Sequence, residues 1–324
     1  MKLPRRKFLH LATCAAALPA VSRVAMAQGY PTRPVRVLVG ATAGGFNDII
    51  ARLMARWLTT RLGQQFVVEN RPGAAGNIAA ETVVKAPADG YTLLVDNSAV
   101  FSATLYDKLS FNFIRDTTPI AGLVRATYIM VVPPSFSAKT VSEFIAYAKA
   151  NPGKIDFASG GIGTPGHVFG ELFKMMAGIS MVHVPYRGGA PALTDLIGGR
   201  VQVMFNPTVG TIEHISSGAL RALAVTSSTR SEALPDLPSV GDFLPGYDAA
   251  AWNGVVAPRG TPVQVVDKLN KEINTGLADP AVKARIADLG GVPMPMSPAE
   301  FGKLIADETE KWGKVVRALN IKAE

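Results

Sequence analysis

Cysteine is almost absent from this chain: the single residue, Cys14, falls within the first 27 positions. A chain that has lost that segment carries no thiol, which excludes cysteine nucleophiles, cysteine metal sites and any disulfide framework. Histidine is nearly as scarce. Beyond position 27 only His167, His183 and His214 occur, and no two stand three or four residues apart, so a helical zinc pair is missing. No Gly-Lys-Ser or Gly-Lys-Thr is present, which removes the P-loop, and no Gly-x-Ser-x-Gly, which removes the nucleophile elbow. Past the N-terminal segment, no apolar run approaches the roughly 20 residues of a spanning helix. Lysine and arginine are scattered rather than blocked with aromatics, so nucleic acid is not an expected partner.

What is present at the N-terminus reads as an export signal over 1–27. A basic start, an apolar run from Phe8 to Val21 and the small-x-small site Ala25-Met26-Ala27 follow in the required order. Arg5-Arg6 with Phe8-Leu9 resembles a twin-arginine signal, although Pro4 and His10 stand where Ser and Lys are usual, and general secretion stays open. The formal net charge of +8 includes Lys2, Arg5, Arg6, Lys7 and Arg23 of this segment. Without those five the chain is left near +3, an ordinary mildly basic surface. A periplasmic location is expected.

The remaining chain is organised around two glycine turns. Val35 to Arg61 reads as an apolar strand, a turn containing Ala43, Gly44, Gly45, Phe46, Asn47 and Asp48, and an amphipathic helix with Ile50, Leu53, Met54 and Trp57 at spacings of three and four. Glycines let the backbone approach a ligand, and a helix start directs unpaired N–H groups and a positive dipole end into the turn. Phe46 beside two glycines is a candidate wall for an apolar ligand body, or else a core residue. Ile155 to Gly178 repeats the arrangement with Ser159, Gly161, Gly163, Thr164 and His167. Gly161 to Gly166 matches G-x-G-x-x-G, but the acidic residue of a dinucleotide site is missing about 20 residues on and Pro165 removes one N–H, so no cofactor is expected. His183, inside an apolar strand, reads as a core residue. Asn97, Ser98, Asn206 and Thr208 lie just past apolar strands, where neutral polar groups line clefts in open α/β sheets.

Between the turns the chain alternates strand, turn and helix, with NRPGAAGN and Tyr186-Arg187-Gly188-Gly189 as further glycine turns. Pro119 to Val132 is a long apolar run that carries the chain towards a second domain, and Trp252 to Ala257 is a returning strand. Thr140 and Ser297 open helices as caps, each with Glu three residues on. Three helical segments finish the chain.

These residues carry a resemblance. YPTRPVRVLV, AGGFNDIIARLMARWL, GQQFVVENRPGAAGNIAAETVVKAPADGYTLL, ASGGIGTPGHVFGELFKMMAG, VHVPYRGGAPALTDLIGGRV and VVAPRGTP together resemble the periplasmic substrate-binding proteins of tripartite tricarboxylate transporters, the Bug (Bordetella uptake gene) family. The resemblance implies an α/β, two-lobed type II periplasmic binding protein fold, with 28–128 and 252–324 as one lobe, 129–251 as the other, and a ligand cleft between them. It implies a carboxylate held by the two glycine turns, membrane transporter subunits as partners, a monomeric state and no catalysis. Gly40-Ala41 in place of a Pro followed by an aromatic, and Phe46 in place of a small or hydroxyl residue, favour a bulkier or aromatic carboxylate. A sensor subunit of the same fold, or a hydrolase acting through Ser159, are the rival expectations.

Overall fold

The computed structural model describes residues 29–96, 105, 109–228, 230 and 234–322. The N-terminal segment with Cys14, and the candidate site residues Asn97 and Ser98, lie outside the described residues. In chain order the main elements are β1 (Val35–Val39), α1 (Phe46–Leu62), β2 (Phe66–Asn70), α2 (Asn77–Val84), β3 (Thr92–Asp96), β4 (Thr117–Val132), α3 (Val141–Ala150), β5 (Asp156–Ser159), α4 (Pro165–Ala177), β6 (Val182–Pro185), α5 (Gly189–Ile197), β7 (Val203–Pro207), β8 (Arg221–Val225), β9 (Ala250–Pro258), α6 (Val263–Ala278), α7 (Pro280–Asp288), β10 (Gly291–Pro293) and α8 (Pro298–Ala318).

Two parallel units stand side by side. The apolar run of β1 sits between β2 and β3, parallel to both, and β5 sits between β6 and β7, again parallel to both. Parallel strands need crossovers, and the amphipathic segments between them supply α1, α2, α4 and α5. In α1, Ile50, Met54 and Leu58 turn inward on one stripe, and the helix stops at Gly63, whose left-handed φ of 70° closes its C-terminus.

β4 and β9 join the units. From Thr117 to Thr127, β4 pairs antiparallel with β9; from Tyr128 onward its partners are β7 and β8. One 16-residue strand therefore belongs to both halves, and the chain comes back along β9, which also pairs with the edge of β3. The strand order is β2-β1-β3-β9-β4-β7-β5-β6. Antiparallel strands at the centre of an otherwise parallel pattern thus connect two lobes with two crossings.

The core follows the sheet faces. Phe157, Phe169, Phe173, Phe205 and Trp312 are buried on one side, while Phe46, Ile50, Val95, Leu269 and Ile273 are buried on the other. Burial of each such side chain contributes about 1.5–3 kcal/mol. In α8, Phe301, Ile305, Trp312 and Val316 face inward, and the Trp312 ring packs on Phe169 of α4 at 5.0 Å. The last helix thereby spans the back of the junction between lobes.

Candidate functional site

A cavity of about 930 Å³ opens where the C-terminal ends of the parallel strands of both lobes meet. Its walls are turns: Gly40–Thr42 and Gly44–Asn47 after β1, Pro72–Gly76 after β2, Gly160–Ile162 and Thr164–Gly166 after β5, Pro185–Ala190 after β6, and Asn206, Pro207, Val209 and Gly210 after β7, with Tyr128 at the lobe junction. Residues far apart in sequence close it. A side-chain carbon on Gly188 would overlap Thr42 Oγ1 and lie 2.7 Å from Thr42 Cγ2, so these two turns of opposite lobes are in direct contact. A carbon on Gly210 would come within 3.9 Å of Gly44 O, a second approach across the cavity.

Four helices begin on this cavity. Their N-cap residues are Gly45 for α1, Gly76 for α2, Thr164 for α4 and Gly188 for α5; none makes a side-chain capping bond, and all four line the cavity. The first-turn amides of a helix have no partner within the helix, and here none of the four cap side chains supplies one. The local sequence explains this, since three of the four caps are glycine. Thr164 turns its hydroxyl backwards to Gly161 O at 2.7 Å instead.

In the first turn, Gly44, Gly45, Phe46 and Asn47 line the cavity, whereas Ala43 and Asp48 do not. Phe46 does both things open to it, packing in the lobe core and forming part of the wall. Asp48 is the third residue of α1, and Gly45 is the cap. Its carboxylate accepts from Gly44 N at 2.9 Å, Arg52 Nε at 3.1 Å and Asn70 Nδ2 at 2.9 Å. Burial alone would raise its pKa; the bonds from Arg52, Gly44 and Asn70 outweigh that and lower it. Asp48 braces the turn from behind. Asn47 donates to the buried Asp96 at 3.0 Å, and that carboxylate fills the space beside Gly40 and Gly76, where a side-chain carbon would meet Asp96 oxygens at 3.2 and 2.6 Å.

In the second turn, Gly161 and Thr164 line the cavity, and Ser159, Gly163 and His167 lie beneath it. Ser159 is fully buried, with its hydroxyl 2.7 Å from His183 Nε2 and accepting from Gly161 N at 3.1 Å. His167 Nδ1 accepts from Gly163 N at 3.1 Å, which places the ring proton on Nε2. The two imidazoles stack, with centroids 3.8 Å apart. Burial lowers the His167 pKa to about 3, helped by His183 and Lys174, and burial with Lys174 lowers that of His183 to about 4. Both rings are neutral and hold the shape of the turn.

Asn206 reaches the cavity and donates to Thr211 Oγ1 at 2.7 Å. Thr208, also fully buried, instead donates to Thr127 O, tying β7 to β4 where the chain changes lobe. Sequence reasoning did not select Pro72–Gly76, Thr42, Tyr128 or Tyr186–Ala190 as site residues. The signal was available, because NRPGAAGN and YRGG follow strands and precede helices as the two selected turns do. In the first of these, Ala74 and Ala75 hold positive φ of 46° and 50°, backbone strain of the kind that concentrates at ligand sites. Among the described residues no group of three or more His, Cys, Asp or Glu could hold a metal ion, and no helix is long and apolar enough to cross a membrane.

The comparisons with known proteins agree with this geometry. The family described as "Tripartite tricarboxylate transporter family receptor" matches residues 50–321. Protein BugT of Bordetella pertussis is 36% identical over 300 residues, covering 91% of this chain and 92% of BugT. Among solved structures, "R. palustris Rpa4515 with adipate" superposes with a TM-score of 0.88 at 35% identity, covering 90% of this chain and 99% of that one. Periplasmic binding protein BugD gives 0.86 at 33% identity, covering 91% and 100%, and MatC from Rhodopseudomonas palustris with bound malate gives 0.83 at 32%, covering 89% and 100%. With the two-lobed fold, the cavity between lobes and these likenesses together, the chain belongs to the tripartite tricarboxylate transporter receptor family, the Bug-type solute-binding proteins.

Proposed function

We propose that this protein captures a small organic carboxylate in the periplasm and delivers it to the membrane subunits of a tripartite tricarboxylate-type transporter. The observation that carries the reading is the convergence of four helix N-termini without side-chain caps on one cavity, whose described lining holds no Asp or Glu. Each such terminus favours a nearby negative charge by about 0.3–1 kcal/mol, and more where partly buried. Relatives of this chain bind adipate and malate, in keeping with a carboxylate here. The two glycine turns belong to opposite lobes, 28–128 with 252–324 and 129–251, so a ligand between them favours the closed arrangement by its differential affinity. The change of β4 partners between Thr127 and Tyr128 supports a hinge at that level. Binding without turnover fits the role of Ser159, whose hydroxyl is engaged under the turn rather than facing the cavity. The leader over 1–27 supports export, and the protein acts as a monomer.

The test is a thermal-shift screen of the purified protein against mono-, di- and tricarboxylates, aromatic ones included, followed by calorimetry on the hits. A ligand at about 100 times its Kd stabilises by about 2.7 kcal/mol, a rise of several degrees. A response confined to carboxylates is expected. A response to uncharged sugars or to cationic amines, with carboxylates silent, overturns the reading.

A further inference from the structure

Arg187 lies on the turn between β6 and α5, and the backbone on both sides of it is tied down. Tyr186 N donates to Ser159 O and Gly188 N to Gly160 O, both at 3.0 Å, while Tyr186 Oη donates to Asp195 Oδ2 at 2.8 Å. The position of Arg187 is therefore set, but its side chain is not engaged. Among the described residues its exposed guanidinium has no ion pair and no side-chain hydrogen bond. Asp195, the acid on the following helix, is already used by Arg200 Nη1 at 2.6 Å and by Tyr186.

The charge inventory of the cavity makes this position unusual. Arg187 is the one Lys, Arg, Asp or Glu among the described residues that line it. The two acids behind the first turn are committed, Asp48 to Arg52, Gly44 and Asn70, and Asp96 to Asn47. Gly188, the next residue, touches Thr42 of the other lobe. Arg187 thus stands at the seam where the lobes meet, at the rim of a cavity whose inner anion-binding groups are backbone amides.

Resting on the carboxylate reading above, we infer that Arg187 is the residue that selects a ligand with a second anionic group. One carboxylate occupies the helix N-termini inside the cavity, and the other meets the guanidinium at the rim. An exposed arginine is too well solvated to capture a monoanion from solution on its own account, and salt screens it. Once the first carboxylate is held, the second is presented at high effective concentration, and the planar fork of the guanidinium can take it with two parallel bonds. Lysine would keep the charge and lose the fork.

The experiment is calorimetric titration of the purified protein, Arg187→Gln and Arg187→Lys with linear dicarboxylates and with monocarboxylates of equal carbon number, at low and high salt. The parent should favour dicarboxylates by about tenfold or more, and Arg187→Gln should remove that preference while leaving monocarboxylate affinity within about twofold. Arg187→Lys should retain part of the preference, and salt should erode it in the parent. Monocarboxylate binding by the Gln variant reports that its site is folded. An intact preference in Arg187→Gln, or an equal loss for both ligand classes, overturns the inference. A parent that binds neither class overturns the carboxylate reading, and this inference with it.

Discussion

α8 and α1 are both long amphipathic helices, yet they begin in opposite ways. At α8, Ser297 accepts from Glu300 N and Glu300 reaches back to Ser297 N, a complete capping box on the surface. At α1 the cap is Gly45, which has no side chain to serve the first-turn amides. The contrast extends through the molecule. α3 is capped by Thr140 and α7 by Asp279, and neither cap borders the cavity, whereas α2, α4 and α5 start on the cavity without a side-chain cap. Among the described residues, α6, which starts after Pro262, and the short helix Ile212–Ser216, which starts at Thr211, lack a side-chain cap away from the cavity lining. Glycine in place of a capping side chain costs only about a few tenths of a kcal/mol of helix stability. Four helix starts without a side-chain cap border the one cavity.

The largest test of this contrast converts a cleft helix into the distal kind. Gly45→Asp would place a capping carboxylate at a residue whose extended backbone, φ −79° and ψ 168°, suits that role. Carboxylate affinity is expected to fall by about a hundredfold, or about 2.7 kcal/mol, in calorimetry, with the melting temperature unchanged or raised. Retained affinity would show that α1 does not face the ligand. Next in size is Gly166→Ala on α4. Its side-chain carbon would meet Phe205 O at 2.5 Å, so the helix start must shift, and urea unfolding should report a loss of about 1–3 kcal/mol together with weakened binding.

Acid should distinguish the second turn from every distal helix start. His167 and His183 have folded pKa values of about 3 and about 4, below the unfolded value of 6.5. The unfolded chain therefore binds more protons between these limits. Their contribution is fully present above about pH 6.5 and is lost as pH falls toward 4, by at most about 1.4 kcal/mol per pH unit for each ring. The melting temperature measured from pH 7 to 4 should fall accordingly, and His183→Asn should flatten the slope; an unchanged slope would place the acid sensitivity elsewhere. The smallest effect belongs to the distal comparison. Ser297→Ala removes a cap at α8 and should cost about 1 kcal/mol in urea unfolding, leaving ligand affinity as it was.

Local chemistry was legible along the chain. Periodicity marked β1 and α1. Ser297 with Pro298 and Glu300 marked the start of α8. Even so, α1 begins at Phe46, inside the stretch read as the turn, because Gly45 is its cap. The Thr140 box is only half formed: Thr140 accepts from Glu143 N, but the Glu143 carboxylate turns to Lys139 N. Both differences come from side chains choosing among several nearby backbone donors, a choice that spacing alone does not rank.

The site was legible to the level of turns and not to the level of side chains. Gly44, Gly45, Asn47, Gly161, Thr164 and Asn206 face the cavity, while Asp48, Ser159, Gly163, His167 and Thr208 support it from behind. Within one turn, adjacent residues point to opposite sides of the backbone. Which side becomes ligand surface depends on what packs against the other: Arg52 and Asn70 for Asp48, His183 for Ser159, the β4 backbone for Thr208. Those partners come from elsewhere in the fold.

By itself the sequence determined the repeating strand, glycine turn and helix, the scarcity of thiol and metal-binding groups, and the glycine caps that bring no side chain to the helix starts, because each of these depends on contacts a few residues long. Only the tertiary structure decided that four of those turns share one cavity, that Thr42 meets Gly188 across it, and that Arg187 is left as the lone charged lysine, arginine or acid of its described lining. These depend on β4 passing from β9 to β7 and β8 between lobes, a long-range pairing that no local pattern encodes.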